Sequence, residues 1–257
     1  MIFKELYAYR EMIRSLVRRD LTGKYKNSVL GFLWTFVDPL LQLLVYTMVF
    51  TYILPMNIEN FYIHLFVALI PWNFYAGCLT GGSAAIINQQ DMVKKIYFPR
   101  EVLPIAYVTG QFVNMVLSFL VVFFVLIVSG VGISVKAVVY LPFVMVIEYI
   151  LGVGITLLTS SITVYLRDMQ QILGVLSMAL MYLSPVIYSV DMVPEGMRKF
   201  YFVNPMSSII VAYRDILYYK EVPQMGNLCL ALLLSLIVLT VGYFVFKTLK
   251  KRFVEEL

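Results

Sequence analysis

Three ionisable side chains interrupt long apolar stretches of this 257-residue chain: Asp38, His64 and Glu148. Charged and titratable groups are rare inside hydrocarbon, so each is a suspect for ion, proton or substrate passage. Glu148 falls near the middle of the apolar run 137–165, where it has the chemistry of a proton relay. No second acid lies at that depth to exchange a proton with it, so burial or a hydrogen bond to a neighbouring helix is the simpler expectation. His64, the single histidine, cannot build a histidine-based metal site alone, and its place near one end of a run predicts a membrane-interface position. Asp38 precedes Pro39, which leaves a carbonyl one turn earlier without its helical donor. The carboxylate either lines an aqueous path or packs against the indole N–H of Trp34, four residues back on the same face.

Aromatic side chains are the next resource, with 19 Tyr, 18 Phe and 2 Trp. Most belong to interface belts or to packing. Trp34, Tyr46, Tyr182 and Tyr188 fall at span depth, where a ring offers a flat apolar face over which the C–H face of a sugar can slide. Other chemistries are missing. There is no GxxxxGK[ST] loop to cradle a nucleotide and no recognisable Ser-His-Asp arrangement, and Cys78 and Cys229 sit in apolar runs without metal spacing. Gly77, Gly81 and Ala85 recur every fourth residue, a spacing that predicts close helix packing, including between subunits.

The elements that carry these residues are set by the solvent. Hydrophobic residues make up 61% and charged residues 14%, against about 45–50% and about 25% in soluble domains. A bilayer accommodates that excess. Six runs approach the roughly 20 residues a spanning helix needs: 28–54, 61–87, 102–130, 137–165, 172–190 and 228–246. None alternates with the period of a barrel strand. The fold class expected is therefore all-α, a polytopic membrane protein with six transmembrane helices in one domain. Most of the 20 Lys and Arg fall in residues 1–27, the loop 88–101, the turn at Arg167 and the tail after 246. These segments share one side, so both termini are expected in the cytoplasm. The basic excess reads as this topology signal and not as a nucleic-acid site, and no cleavable signal peptide is expected.

Residues 2–21 place Phe3, Leu6, Ile13, Leu16 and Val17 on one helical face with charges elsewhere, the pattern of an interfacial helix lying on membrane lipids. Residues 191–226 are too polar to span. Pro194, Gly196 and the pair Asn204-Pro205 break them into two short re-entrant outer helices, the second carrying Ile209, Ile210, Ala212, Tyr213, Ile216 and Leu217. In NQQDMVKKIYFPREVLP, residues 88–104, Asp91 to Ile96 can form a short helix ended by Pro99, with Asp91 and Lys95 four apart. Such a helix can dock in a groove on a partner, and Val93 and Ile96 are its expected apolar contacts.

Four of these stretches together, YKNSVLGFLWTFVDPL, VKKIYFPREVLP, YLRDMQQI and NPMSSIIVAYRDIL, resemble the ABC-2 type permeases that export lipid-linked surface polysaccharides and wall teichoic acids. The likeness runs in order over essentially the whole chain. It departs where Asp38 stands before Pro39, a place where Asn is more usual. The resemblance implies a half-transporter in a bacterial inner membrane: a homodimer of permeases with two separate ATPase subunits, which bind the ATP and Mg, this chain holding no cofactor. It implies that Gln89, Gln90, Asp91, Met92, Val93, Lys94, Lys95 and Ile96 form the coupling helix and that Arg167 and Asp168 make a second cytoplasmic contact. It implies too that Arg18, Arg19, Lys24 and Lys26 meet the lipid diphosphate, which Arg can grip bidentately. The expected polymer channel is lined by Trp34, Asp38, Tyr46, Tyr182 and Tyr188. Two other functions compete: a proton-coupled or passive transporter without an ATPase, and a membrane-embedded transferase acting on a lipid carrier. The first needs ionisable pairs at depth. The second needs an acid, base or metal cluster, which Asp191, Glu195 and Asp215 do not compose.

Overall fold

A computed structural model describes residues 6–23, 28–53, 58–196 and 201–257. Among these, the regular structure is helical and no strand occurs. We number the main helices α1 (Arg10–Gly23), α2 (Trp34–Met48), α3 (Phe61–Leu79), α4 (Gln90–Lys95), α5 (Val102–Val128), α6 (Leu141–Tyr165), α7 (Met169–Leu183), α8 (Pro205–Arg214) and α9 (Met225–Leu249). Four segments are long and apolar enough to cross a bilayer: Phe61–Ala84, Val102–Val128, Val135–Tyr165 and Met225–Glu256.

The first and fifth expected spans are built differently. α2 has 15 residues, about 22 Å at 1.5 Å per residue, and is extended by a tight turn, Gly31–Leu33, and a wide turn, Val49–Ile53. α7 begins at Met169 and stops at Leu183, short of the expected 190. Ser184 is extended (φ −114°, ψ 151°), as a residue before proline must be, and Pro185 has no N–H to continue the ladder.

α3 is the central post. Its sequence FYIHLFVALIPWNFYAGCL is apolar on every side, which suits only a helix surrounded by protein, and the run from Ile63 to Trp72 is buried throughout. α5, α6 and α8 pack around it. α6 and α9 approach most closely at Gly154 and Gly242: a methyl group on Gly154 would lie 2.6 Å from the backbone nitrogen of Leu239, and one on Gly242 would collide with the Gly154 carbonyl. The Gly77–Gly81–Ala85 spacing is used within the chain, since a Cβ on Gly81 would strike the Tyr107 hydroxyl of α5.

α8 starts where the sequence suggested a break. The Asn204 side chain accepts from Met206 N at 3.0 Å and Pro205 opens the first turn, a preorganised N-terminus. Its expected apolar residues Ile209, Ile210, Ala212, Tyr213, Ile216 and Leu217 are all buried, and so are Ser207 and Ser208. The helix is covered by protein on nearly every side. The first of the two expected outer helices falls partly on residues 197–200, outside the described residues.

Two apolar clusters result. The larger joins α3 and α8 to the later part of α5 and the earlier part of α6. The smaller gathers Leu16 of α1, Val93 of α4, the start of α5, the end of α6, and Phe246 and Phe253. α1 thus rests its apolar face on α5, with Ile13 and Val17 partly covered and Arg14 and Arg18 exposed.

Candidate functional site

α2, α3 and α5 enclose a cavity of about 280 Å³. Thr35, Asp38 and Gln42 line it from α2 at spacings of three and four, hence from one helical face. α5 contributes Gln111, Asn114 and Ser118 at the same spacing, and α3 contributes Asn73 beside Phe74. Asn73 Nδ2 donates to Gln42 Oε1 at 2.9 Å, joining α3 to α2. A second cavity of about 470 Å³ reaches from Arg19, Asp20 and Gln89 past Tyr107 to the same Gln111 and Asn114. The two spaces share those amides, so one polar strip leads from α1 into the bundle. Gln111 Nε2 donates to the Tyr107 hydroxyl at 3.1 Å. Asn114 Oδ1 is shielded from solvent and has no partner among the described residues. This strip offers many hydrogen-bond donors and acceptors and no nucleophile paired with a base, which suits passage better than reaction.

Asp38 lines the cavity and does not meet Trp34. The Trp34 indole instead donates to Ser28 Oγ at 2.8 Å, because the 28–33 turn brings that hydroxyl under the ring. None of Trp34, Tyr46, Tyr182 or Tyr188 lines the polar cavity. Tyr46 packs at the edge of the larger cluster and stacks on Phe50. Tyr182 is 62% exposed on α7. The Tyr188 hydroxyl donates to the Tyr182 carbonyl at 2.7 Å and accepts from Tyr201 at 2.8 Å. The expected channel set is thus divided among separate faces.

At the end where α1 lies, Arg19 borders the second cavity, 3.7 Å from Asp20. Partial burial pushes the Asp20 carboxyl up, and the neighbouring Arg19 opposes that shift. Arg18 is exposed. Lys24 and Lys26 lie outside the described residues.

Below α5 the platform is compact. Gln89 closes a tight turn and α4 follows, with Asp91 and Lys95 3.7 Å apart and well exposed. Val93 is 3% exposed and packs into its own chain with Phe98 and Phe253, so it is not the docking contact expected from its spacing. Met92 is partly covered in the same cluster. What projects is Ile96, 58% exposed, and Tyr97, 97% exposed, with Gln90, Lys94 and Lys95 beside them. Ile96 is extended (φ −126°, ψ 138°) and ends the helix, turning both side chains outward. Arg167 and Asp168 stand exposed in the turn between α6 and α7. That turn is held by Tyr165, whose hydroxyl donates to the Leu249 carbonyl at 2.8 Å. A clasp missing from the sequence reading completes the platform. Lys250 pairs with Glu101, which is 6% exposed, and Arg100 Nη1 donates to the Lys250 carbonyl at 3.0 Å.

The remaining buried ionisable groups serve packing. Glu148 accepts a hydrogen bond from the Tyr213 hydroxyl at 2.6 Å, linking α6 to α8. It borders neither cavity. His64 is fully covered, between the Phe61 ring and the edge of Tyr218, because α3 runs through the centre of the bundle. It stands in the first turn of α3, close to one end of that span. Arg214, 2% exposed, donates to the carbonyls of His64 (3.2 Å), Tyr188 (2.9 Å) and Val186 (2.7 Å). The sequence reading gave it no role. Its one signal was position, an arginine following a tyrosine at the end of an apolar helical face.

Comparison with known proteins follows the same geometry. The family model described as "ABC-2 type transporter" matches residues 11–218. The O-antigen export system permease protein RfbA of Myxococcus xanthus is 33% identical over 100% of this chain and 99% of its own length. A protein of that description from Klebsiella pneumoniae is 28% identical over 96% of this chain and 95% of its own. The capsule polysaccharide export inner-membrane protein CtrC of Neisseria meningitidis is 23% identical over 93% of this chain and 91% of its own.

Proposed function

The chain belongs to the ABC-2 type transporter family, and from that premise we propose that it is the permease subunit of an ATP-driven exporter. Its cargo is a surface polysaccharide carried on a polyprenyl diphosphate, moved outward across a bacterial inner membrane. The observation that carries this reading is the end-to-end likeness to an O-antigen export permease in a helical bundle holding a polar strip beside a projecting platform.

In this reading α2 and α7 complete six crossings, and both termini are cytoplasmic. Two copies pair. The apolar side chains that α2 and α7 leave uncovered, among them Leu40, Leu44, Val175 and Met178, support a contact made outside this chain. Two ATPase subunits bind ATP and Mg and dock on Ile96, Tyr97, Lys94 and Lys95, with Arg167 and Asp168 as a second foothold. The lipid diphosphate comes from the inner leaflet to Arg18 and Arg19, with Lys24 and Lys26 alongside. An exposed Arg beside a cavity mouth supports that role for Arg19. The polymer then follows Asp38 between the paired subunits, with Trp34, Tyr46, Tyr182 and Tyr188 as ring surfaces along the dimer.

The test is coexpression with the neighbouring ATPase, followed by reconstitution into proteoliposomes with a fluorescent undecaprenyl-diphosphate oligosaccharide. ATP-dependent movement of label across the bilayer is expected. A permease that purifies without any ATPase, or that moves label equally well with ATP absent, would overturn the reading.

A further inference from the structure

The polar strip carries more than a route. We propose that Asp38, Gln42, Asn73, Gln111, Asn114 and Ser118 form its hydrogen-bonding wall. That wall takes an uncharged, hydroxyl-rich chain in preference to one with an anionic group in every repeat. The inference rests on the exporter reading above and specifies the substrate class of the same path.

Register comes first. Tyr107, Gln111, Asn114 and Ser118 follow one another at spacings of four, three and four along α5, so they lie on one face. Each step rises about 4.5–6 Å, comparable with the length of one sugar ring, so successive repeats meet similar groups. Chemistry comes second. An amide offers two donors and an acceptor with two lone pairs. A sugar hydroxyl both donates and accepts and rotates freely, so amides receive it in either sense. Contacts of that kind can be exchanged one by one as a chain slides. Gln42 and Asn73 are already tied to each other by a single bond, which leaves each with unused capacity facing the cavity. Asn114 lines both spaces, so its side chain stands at their junction, while its Oδ1 is shielded from solvent.

Charge decides the class. The residues lining the inner cavity include no Lys, Arg or His, and Asp38 is the one ionisable group among them. A phosphate or carboxylate carried on each repeat would meet that carboxylate with no cation among the described lining residues to compensate. Among the described residues the one cation bordering the strip, Arg19, stands at its α1 end beside Asp20, where one anionic headgroup and not a train of them is accommodated. Amides can also serve only to join helices within a membrane, and the experiment separates that role from this one.

The permease–ATPase complex is reconstituted in phosphatidylethanolamine–phosphatidylglycerol vesicles. Two probes are compared: an undecaprenyl-diphosphate-linked mannose oligomer, and the same oligomer sulfated on each sugar. Transport per ATP hydrolysed and the neutral-to-sulfated ratio are read. Asn114→Leu and Gln111→Leu should each lower neutral-chain transport per ATP about tenfold, the effect of losing one hydrogen bond at each step. Asn114→Gln, which keeps the amide, should retain most of it. Asp38→Asn should raise the sulfated probe relative to the neutral one about fivefold. Leu variants that transport at the parental rate overturn the inference, and so does Asn114→Gln being as damaging as Asn114→Leu at equal complex yield. An unchanged probe ratio in Asp38→Asn overturns the selectivity. A parental complex that moves neither probe overturns the exporter reading itself, and this inference with it.

Discussion

Replacing Ile96 by Asp and Tyr97 by Ser tests whether the platform engages the ATPase through what projects from it. These side chains are 58% and 97% exposed, so the permease gains nothing from them by itself and its own stability should stay within about 0.5 kcal/mol of the parent. At an interface, burying an Ile side chain contributes about 1.5–3 kcal/mol, and a central Tyr contributes about 2 kcal/mol when it acts as an anchor. Losing both removes roughly 4 kcal/mol, which weakens association about a thousandfold. Copurification of the ATPase with tagged permease should fall to background while the melting temperature of the permease in detergent is unchanged. Val93→Asp is the internal control. Val93 is 3% exposed against Phe98 and Phe253, so an unpaired charge there costs several kcal/mol and the permease itself should melt earlier. The reasoning is refuted if the Ile96→Asp/Tyr97→Ser permease retains parental amounts of ATPase, or if it loses thermal stability as Val93→Asp does.

Four further outcomes follow from the packing. Gly242→Ala should destabilise the bundle by about 1–3 kcal/mol, because its methyl group meets the Gly154 backbone and cannot be relieved by a rotamer; a detergent melting curve at the parental midpoint would contradict this. Tyr213→Phe leaves the buried Glu148 without its bond and should cost about 1–3 kcal/mol in the same assay, whereas Glu148→Gln should export normally; loss of export in a Glu148→Gln variant of parental stability would revive a proton-relay role. Arg214→Met should loosen the segment around residues 186–188 by removing three donors from buried carbonyls; hydrogen exchange there no faster than in the parent would contradict that. Lys250→Ala, which strands the Glu101 carboxylate, should cost about 1–3 kcal/mol and lower export per ATP hydrolysed; parental values of both would show the clasp to be incidental.

The apolar runs were legible because hydrocarbon demands length: α3, α5, α6 and α9 stand where runs of more than 18 residues placed them. The helical period of α1 was legible, with Leu16 and Val17 on one face, but that face packs on α5 of the same chain, a partner the period does not name. Shorter elements were not. The six residues of α4 carry too little periodicity to say which face meets its own chain, and that face is fixed by Phe253, distant in sequence. The burial of His64 and Arg214 depends on α8 folding against α3, a contact no local window contains. The amide strip was in plain view at positions 111, 114 and 118. Reading 102–130 as one apolar run gives no weight to three polar side chains that occupy a single face. For the aromatic residues, depth along a span gives no direction around it, so Tyr46 packs at the edge of the larger cluster while Tyr182 stands exposed.

The clasp between Glu101 and Lys250 also sets an order of events during synthesis. Residue 101 opens α5, and its partner is made almost at the end of the chain, 149 residues later. Until α9 has been inserted and Lys250 and Phe253 have emerged, Val93 lacks the Phe253 side of its contact and Glu101 lacks its Lys250 partner. The platform is therefore the last part of the permease to become rigid, although its own residues are made early. An ATPase that recognises the rigid platform would bind only chains whose final helix is already in place, so assembly itself would discriminate finished permeases from interrupted ones.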